Sequence, residues 1–263
     1  MKVSIISYNV LFHTAVSNLP SIVSEYQPDI LCLQEVKTDD ASLKNISKLG
    51  YALADFSNSF VRGETIFGIA TFYNKKILTH LSSYPIFLPR SIYEFFLVFF
   101  RWGNSRRTVL KTEFRNLSSQ KKITIFNVHF TPAGTNGARI KQIREALEHI
   151  PHPHKTESII VAGDFNYVPY GRKKLEEMMQ DKGLQEATSS IPFTFSHYRA
   201  KQNAGFFLKI FFWLTSAEWW KEILWKQYKL DYIFYRNLQL QTVKRIDEVI
   251  SDHFPIFARF KNQ

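Results

Sequence analysis

Ser158-Ile159-Ile160-Val161-Ala162 is an apolar, β-branched run that stops on Gly163-Asp164-Phe165-Asn166. A strand inside a sheet is apolar, so polar groups massed at its end point to a site at the sheet edge. Other runs end the same way. Ser4-Ile5-Ile6-Ser7-Tyr8 ends at Asn9, Asp29-Ile30-Leu31-Cys32-Leu33-Gln34 at Glu35, and Ile123-Thr124-Ile125-Phe126-Asn127-Val128 at His129. Near the C-terminus the order reverses, and Asp252-His253 precede Phe254-Pro255-Ile256-Phe257-Ala258. Strand ends carrying carboxylates, amides and imidazoles look like one polar centre built from distant segments. That set of groups is what a Mg²⁺-assisted phosphoester hydrolase needs.

The 263 residues are enough for a sizeable core and contain no linker-like stretch, which suggests one α/β domain over 1–263. The formal net charge of +11 favours polyanions, nucleic acid or an anionic membrane face, although the 34 basic residues are spread along the chain. The single cysteine, Cys32, excludes an internal disulfide and a Cys-based zinc site, and its apolar surroundings suggest a buried, inert thiol. Strand-like sequence starts at Lys2, so a cytoplasmic protein without a signal peptide is expected.

Strands are expected at 2–8, 29–34, 66–73, 108–114, 122–128, 158–163, 230–235 and 254–260. Helices are expected around 14–26, 40–48, 137–150 and 171–181, the third marked by Ile140, Ile143, Leu147 and Ile150 at helical spacing. Strands outnumber helices, which suggests packed sheets flanked by helices and not a simple doubly wound sheet.

Two aromatic-rich insertions, near 91–102 and 205–226, contain all five tryptophans of the chain. Neither reaches the about 20 apolar residues of a bilayer span, and Arg90, Glu94, Arg101 and Lys209 interrupt them, so no transmembrane segment is expected. The stretch Ser216–Tyr228 is helix-like, with Trp220, Leu224 and Tyr228 able to share a face.

Ser7-Tyr8-Asn9-Val10, Leu33-Gln34-Glu35-Val36, Asn127-Val128-His129, Gly163-Asp164-Phe165-Asn166, Leu230-Asp231-Tyr232 and Ser251-Asp252-His253 stand in the order seen in the endonuclease/exonuclease/phosphatase superfamily, which this chain resembles. Any one of these motifs is weak; six in order across nearly the whole chain are specific. The resemblance implies a four-layer α/β sandwich, with two mixed β-sheets face to face and helices outside. It also implies Mg²⁺ (or Mn²⁺) on Glu35, with Asn9 beside it and Asp252 near the metal or helping a second one. Asp164 and Asn166 would orient the attacking water and the phosphate. His253 would contact the phosphate or move a proton, with Asp231 as its carboxylate partner. His129 matches a histidine of pancreatic-type deoxyribonucleases and sphingomyelinases. Apurinic endonucleases have a tyrosine there, and an acid where this chain has Leu11, so an abasic-site enzyme is disfavoured.

Each residue alone has a blander reading. Asn9 and Asn166 suit turns, Glu35 suits a solvated strand end, His129 suits a hydrogen-bonded core, and Asp231 could pair with Lys229 or Arg236. The same coincidence at six strand ends is what favours catalysis. Arg106 and Arg107 begin the strand at 108, where related enzymes often carry a basic residue; a phosphate contact and a solvated strand-end charge both remain open.

Two substrate classes stay open as well. A nuclease would use the basic surface and aromatic stacking. A lipid-headgroup phosphodiesterase of the sphingomyelinase type, or a phosphatase acting at a membrane surface, would use the aromatic insertions as a peripheral membrane contact at an anionic surface. The insertions could also pack on each other. Nucleic acid leads on the family prior.

Overall fold

In the strand Lys2–Asn9 (β1), Val3 and Ile5 point one way, Ile6 and Tyr8 the other, and all four are buried. The same double burial recurs in Lys122–His129 (β7), where Ile123 and Ile125 oppose Phe126 and Val128. A strand buried on both faces needs a layer on each side, and these strands sit at the centres of two sheets. The computed structural model describes residues 2–90, 107–132, 135–151, 157–168, 170–196 and 227–262.

The first sheet runs β13 (Leu238–Arg245), β14 (Ile256–Asn262), β1, β2 (Ile30–Lys37), β4 (Thr65–Tyr73), β3 (Ala52–Arg62). The second runs β5 (Leu78–Phe87), β6 (Thr108–Asn116), β7, β8 (Ser158–Asp164), β12 (Asp231–Arg236), β9 (Gln185–Glu186). Phe195–Ser196 (β10) and Gln227–Tyr228 (β11) make a short ribbon.

Each sheet has one parallel pair at its centre, β1 with β2 and β7 with β8, and antiparallel pairs elsewhere. Parallel neighbours require a crossover. The first includes a 3₁₀ turn at Thr14–Asn18 and α1 (Leu19–Tyr26); the second includes α3 (Asn136–Glu148). The other helices are α2 (Asp40–Ser47) and α4 (Arg172–Asp181).

The four layers follow from what each face buries. Leu19, Ile22, Leu43 and Ile46 of α1 and α2 pack on Ile6, Tyr8, Leu31 and Leu33. Ile143, Leu147, Leu175 and Met179 of α3 and α4 pack on Phe126, Val128, Ile159 and Val161. Between the sheets lie Val3, Ile5, Ile30, Cys32, Ile123, Ile125, Ile160, Ala162, Ile233, Ile256 and Phe260. The mixed-sheet α/β sandwich expected from the sequence is the architecture observed.

Cys32 is buried, and burial pushes its thiol far above the ordinary range, as expected of an inert side chain. Sequence reading missed β3, β5 and β13, all sheet-edge strands in which polar residues or Pro85 break the apolar pattern. The helix expected at 14–26 opens with the 3₁₀ turn. Tyr228, expected on a helix, pairs instead with Phe195 in the ribbon. The two aromatic-rich insertions, with residues 216–226 of the helix-like stretch, lie outside the described residues. No helix among the described residues is long and apolar enough to cross a membrane.

Candidate active site

The alternation that buries Val3 and Ile5 between the sheets also carries Asn9 to that face. The same count places Gln34 beyond Cys32, Asn127 and His129 beyond Ile125, Asp164 beyond Ala162, and Asp231 before Ile233. The site is thus the polar continuation of the inter-sheet core. It forms at one edge because the parallel pairs deliver the ends of β1 with β2, and of β7 with β8, to the same side. Antiparallel β12 then starts there, with Asp231 opposite Asp164. Gln34 donates to Asn127 Oδ1 at 2.8 Å, and Asn127 donates to the Ala70 carbonyl at 3.0 Å, so hydrogen bonds tie the two sheets beneath the site.

Glu35 does not obey the alternation. A regular strand would turn it toward the helices with Leu31 and Leu33. The β2–β4 register slips between Gln34 and Val36, and Glu35 takes a left-handed φ of 59°. Such a bulge re-aims a side chain, and here it turns Glu35 into the site. Glu35 Oε1 lies 3.7 Å from His129 Nε2, while Oε2 accepts the Phe12 backbone N–H at 3.1 Å.

Asp164 is the hub. Its Oδ2 accepts from Asn9 Nδ2 at 3.1 Å and Asn166 Nδ2 at 3.0 Å, and its Oδ1 accepts the Asn166 N–H at 2.8 Å. Asn166 reaches back through a left-handed φ of 50°, which asparagine tolerates. Gly163 is required before it, since a Cβ there would sit 2.0 Å from the Val128 carbonyl oxygen. Two imidazoles flank the carboxylate, His129 Nε2 at 3.6 Å and His253 Nε2 at 3.8 Å from Oδ2.

His253 Nδ1 lies 2.8 Å from Asp231 Oδ2, which also accepts the Thr194 hydroxyl at 2.7 Å. Thr194 Oγ1 in turn accepts the N–H groups of Leu230 and Asp231. Ser251 accepts the His253 N–H at 3.1 Å and donates to the Asn9 carbonyl at 2.8 Å, fastening the 251–253 segment to β1. Phe195 packs edge-on to the His253 ring at 5.0 Å.

These surroundings make one histidine cationic and the other neutral. Burial disfavours a charged His253, but the carboxylates of Asp231, Asp164 and Asp252 outweigh it and hold its pKa well above the ordinary value. Burial, the Arg107 guanidinium and His253 hold His129 well below its ordinary value. Arg107 Nη1 lies 3.0 Å from His129 Nδ1 and 3.2 Å from Nε2, and arginine only donates, so the ring it meets is neutral. The contacts of His129 with Glu35 and Asp164 are therefore not ion pairs. Burial pushes Asp164 up to about 7, with Asp231 adding to the rise and His253 opposing it. Burial raises Glu35 too, Asp252 adding and Arg107 opposing.

The structure brings together Asn9, Glu35, His129, Asp164, Asn166, Asp231 and His253, from segments far apart in sequence. Asp252 is half-buried beside them, and its charge acts on both Glu35 and His253. Arg107 is buried, so the solvated strand-end reading does not hold for it; Arg106 lies outside the described residues. Asp231 pairs with His253 and not with Lys229, which bonds Glu186, or Arg236, which donates to backbone carbonyls. Sequence reading assigned no role to Thr194, Ser251, Phe12 or Phe60. Ser251 could have been found as the head of its own motif, whereas Thr194 has no local signal beyond a polar residue between Phe193 and Phe195.

Asp164, Asp231 and His253 offer ligand atoms within 4.8 Å of one another, a buried group that could hold a metal ion. Within it, however, His253 Nδ1 and Asp231 Oδ2 already engage each other. Glu35, Asp252 and the side-chain Oδ1 of Asn9, which accepts the Leu11 N–H at 3.1 Å, are oxygen donors suited to a hard divalent cation. Burial, with the Asp252 charge adding to it, raises Glu35, and a bound cation would favour its charged form.

A sequence model of the endonuclease/exonuclease/phosphatase family matches residues 6–253. No curated protein matches the sequence. Among solved structures, the human Nocturnin catalytic domain with a bound sulfate anion is similar at a TM-score of 0.70 and 17% identity, covering 100% of this chain and 95% of that one. ANGEL2, a 2',3'-cyclic phosphatase, is similar at 0.67 and 16%, covering 99% and 95%. A humanized D. rerio TDP2 is similar at 0.65 and 17%, covering 99% of both chains. At these identities the likeness speaks to the fold, and the family match with six ordered motifs speaks to kinship. The chain belongs to the endonuclease/exonuclease/phosphatase family, whose members are phosphoester hydrolases that typically use divalent metals.

Proposed function

We propose that this protein is a divalent-metal-dependent phosphodiester hydrolase acting on nucleic acid. The observation that carries this reading is the bulge that turns Glu35 out of its strand's alternation and into the pocket of Asp164, His129 and His253. A bulge that buries a carboxylate beside other carboxylates has no packing benefit; it suits a metal ligand. Glu35, with Asn9 and Asp252, would hold Mg²⁺ or Mn²⁺. When bound, such an ion neutralises charge on the phosphate and polarises phosphorus.

The chain's own groups supply the rest. The water oxygen bonds to phosphorus as the bond to the leaving alkoxide breaks, and Asp164, with its pKa near 7, accepts the water's proton. Asn9 and Asn166 fix that carboxylate through three hydrogen bonds. His253, kept cationic by Asp231, meets the phosphoryl oxygens on which charge accumulates. Neutral His129, with its two ring nitrogens 3.0 and 3.2 Å from Arg107 Nη1, keeps one N–H to offer a phosphate oxygen. Arg107 adds a fixed positive charge at the same place. The net charge of +11 supports a polyanionic substrate.

The test is hydrolysis of single-stranded DNA, RNA and a choline-type phospholipid in parallel. Cleavage of a nucleic acid should vanish with chelator and return with Mg²⁺ or Mn²⁺, and Glu35→Gln should be nearly inactive while folded. Full activity in chelator or in Glu35→Gln would end the metal reading. Hydrolysis of the phospholipid alone would replace the substrate class with lipid.

A further inference from the structure

On the His129 side of the site stand three phenylalanines. Phe60 and Phe67 face each other across β3 and β4 and stack with centroids 5.4 Å apart at 16°. Phe12 lies edge-on to both, at 6.0 and 5.7 Å. Phe67 is buried, whereas Phe12 and Phe60 are half-buried. The Arg62 guanidinium sits 4.1 Å above Phe12, and that of Arg107 lies 5.0 Å from Phe60. Phe60 reaches to 6.4 Å from the His129 ring.

Two departures from regular backbone build this cluster. The β3–β4 register slips between Asn58 and Phe60. Ser59 meets Thr108 of the facing sheet, yet the next residue, Phe60, also meets the facing sheet, through His129 and Arg107. Successive residues of a regular strand would point apart. Leu11, Phe12 and His13 meanwhile take φ values of 44°, 49° and 70°, three consecutive left-handed non-glycine residues. A left-handed conformation is unfavourable for each of these non-glycine residues. The turn at 11–13 also brings the Phe12 N–H to Glu35 Oε2, so the strain serves the site from which Phe12 projects, and strain held beside catalytic groups points to function.

We propose that Phe60 and Phe12 form a stacking wall for the nucleobase of the nucleotide that carries the scissile phosphate, an inference that rests on the phosphodiesterase reading above. A base attached through one sugar to a phosphate at His129 reaches this wall. Aromatic faces stack any base, and guanidinium planes stack bases and pair phosphates. The two guanidiniums over the rings would repel the quaternary ammonium of a choline headgroup, whereas a base stacks on the outer plane of a guanidinium as well as on a ring. The wall selects an unpaired base, so the substrate is single-stranded.

The experiment compares a short single-stranded oligodeoxynucleotide with the same strand bearing abasic tetrahydrofuran residues. Equilibrium binding is read in chelator and cleavage in Mg²⁺. The wild type should prefer the base-bearing strand by about 5- to 150-fold, the range that stacking on an aromatic side chain supplies. Phe60→Leu, which keeps the apolar volume without the ring, should lose most of that preference in Kd and KM and little in kcat. Phe60→Tyr should retain it, as should Ile66→Ser at an exposed position on the same hairpin. A wild type that cleaves both strands equally, or a folded Phe60→Leu that keeps the full preference, overturns the wall. A wild type that cleaves no phosphodiester in Mg²⁺ or Mn²⁺ overturns the proposed function, while a base preference in the chelator binding assay would still support the wall.

Discussion

Replacing Asp231 with Asn tests whether the charge on His253 is held by its partner. The two groups meet at 2.8 Å in a buried setting, and Thr194 and two backbone N–H groups lock the carboxylate in place. Asparagine keeps the shape and can still accept a hydrogen bond, so the fold should survive. The charge is lost. Two unit charges about 4 Å apart interact by about 4 kcal/mol at an effective dielectric near 20, which sets the ceiling on the effect. Asp164 and Asp252 remain to favour the imidazolium, so the loss is only partial.

A raised histidine pKa means the cationic form persists until pH climbs through the folded value. Without Asp231 that value falls, and the alkaline limb of the pH–kcat profile should move to lower pH. At pH 8 the rate should drop by about 10- to 1000-fold, since each 1.36 kcal/mol is a factor of ten. At pH 6, where His253 regains its proton, the variant should approach the wild type. The assay is steady-state cleavage of a single-stranded oligonucleotide from pH 5.5 to 9. A profile superimposable on the wild type, or an equal loss at pH 6 and pH 8, would refute the assignment of His253 as a cation held by Asp231.

Gly68 of β4 lies between the two bulges that aim Glu35 and Phe60, and a Cβ there would sit 2.1 Å from the Ser57 carbonyl oxygen. Gly68→Ala should therefore lower stability by about 1–3 kcal/mol in denaturant titration and reduce cleavage as well; a variant as stable and active as wild type would show that the bulges tolerate repacking. Asp164 is carboxylic acid more readily in the fold than unfolded, so its contribution is most favourable below its ordinary 3.8 and is lost as pH rises through about 7. Asp164→Asn, which sets an amide donor against the Asn9 and Asn166 donors, should abolish cleavage and flatten the fall of the melting temperature between pH 6 and pH 8 in chelator. A variant whose melting temperature falls over that range as steeply as the wild type's would contradict the cost assigned to burying this carboxylate.

The sequence by itself determined which strands form the sheet centres and which residues end them. Strand periodicity is local, so Ile5 and Asn9, or Ala162 and Asp164, were assignable to one face without knowing the partner strand. The central apolar runs, the four helices and the polar ends of β1, β7 and β8 were legible for that reason. Edge strands were not, because β3, β5 and β13 mix polar residues into their runs and owe their place to a neighbour. Only the tertiary structure decided where the pattern is broken. The bulges at Glu35 and before Phe60 arise from register against β4 and leave no local mark. The pairing of Asp231 with His253, the burial of Arg107 against His129 and the support from Thr194 join segments far apart in the chain. Their energies depend on which groups share a low-dielectric space, and the same composition in solvent would leave Asp164 and His253 with ordinary pKa values. That is why the members of the site could be named from the sequence while their charges and orientation could not.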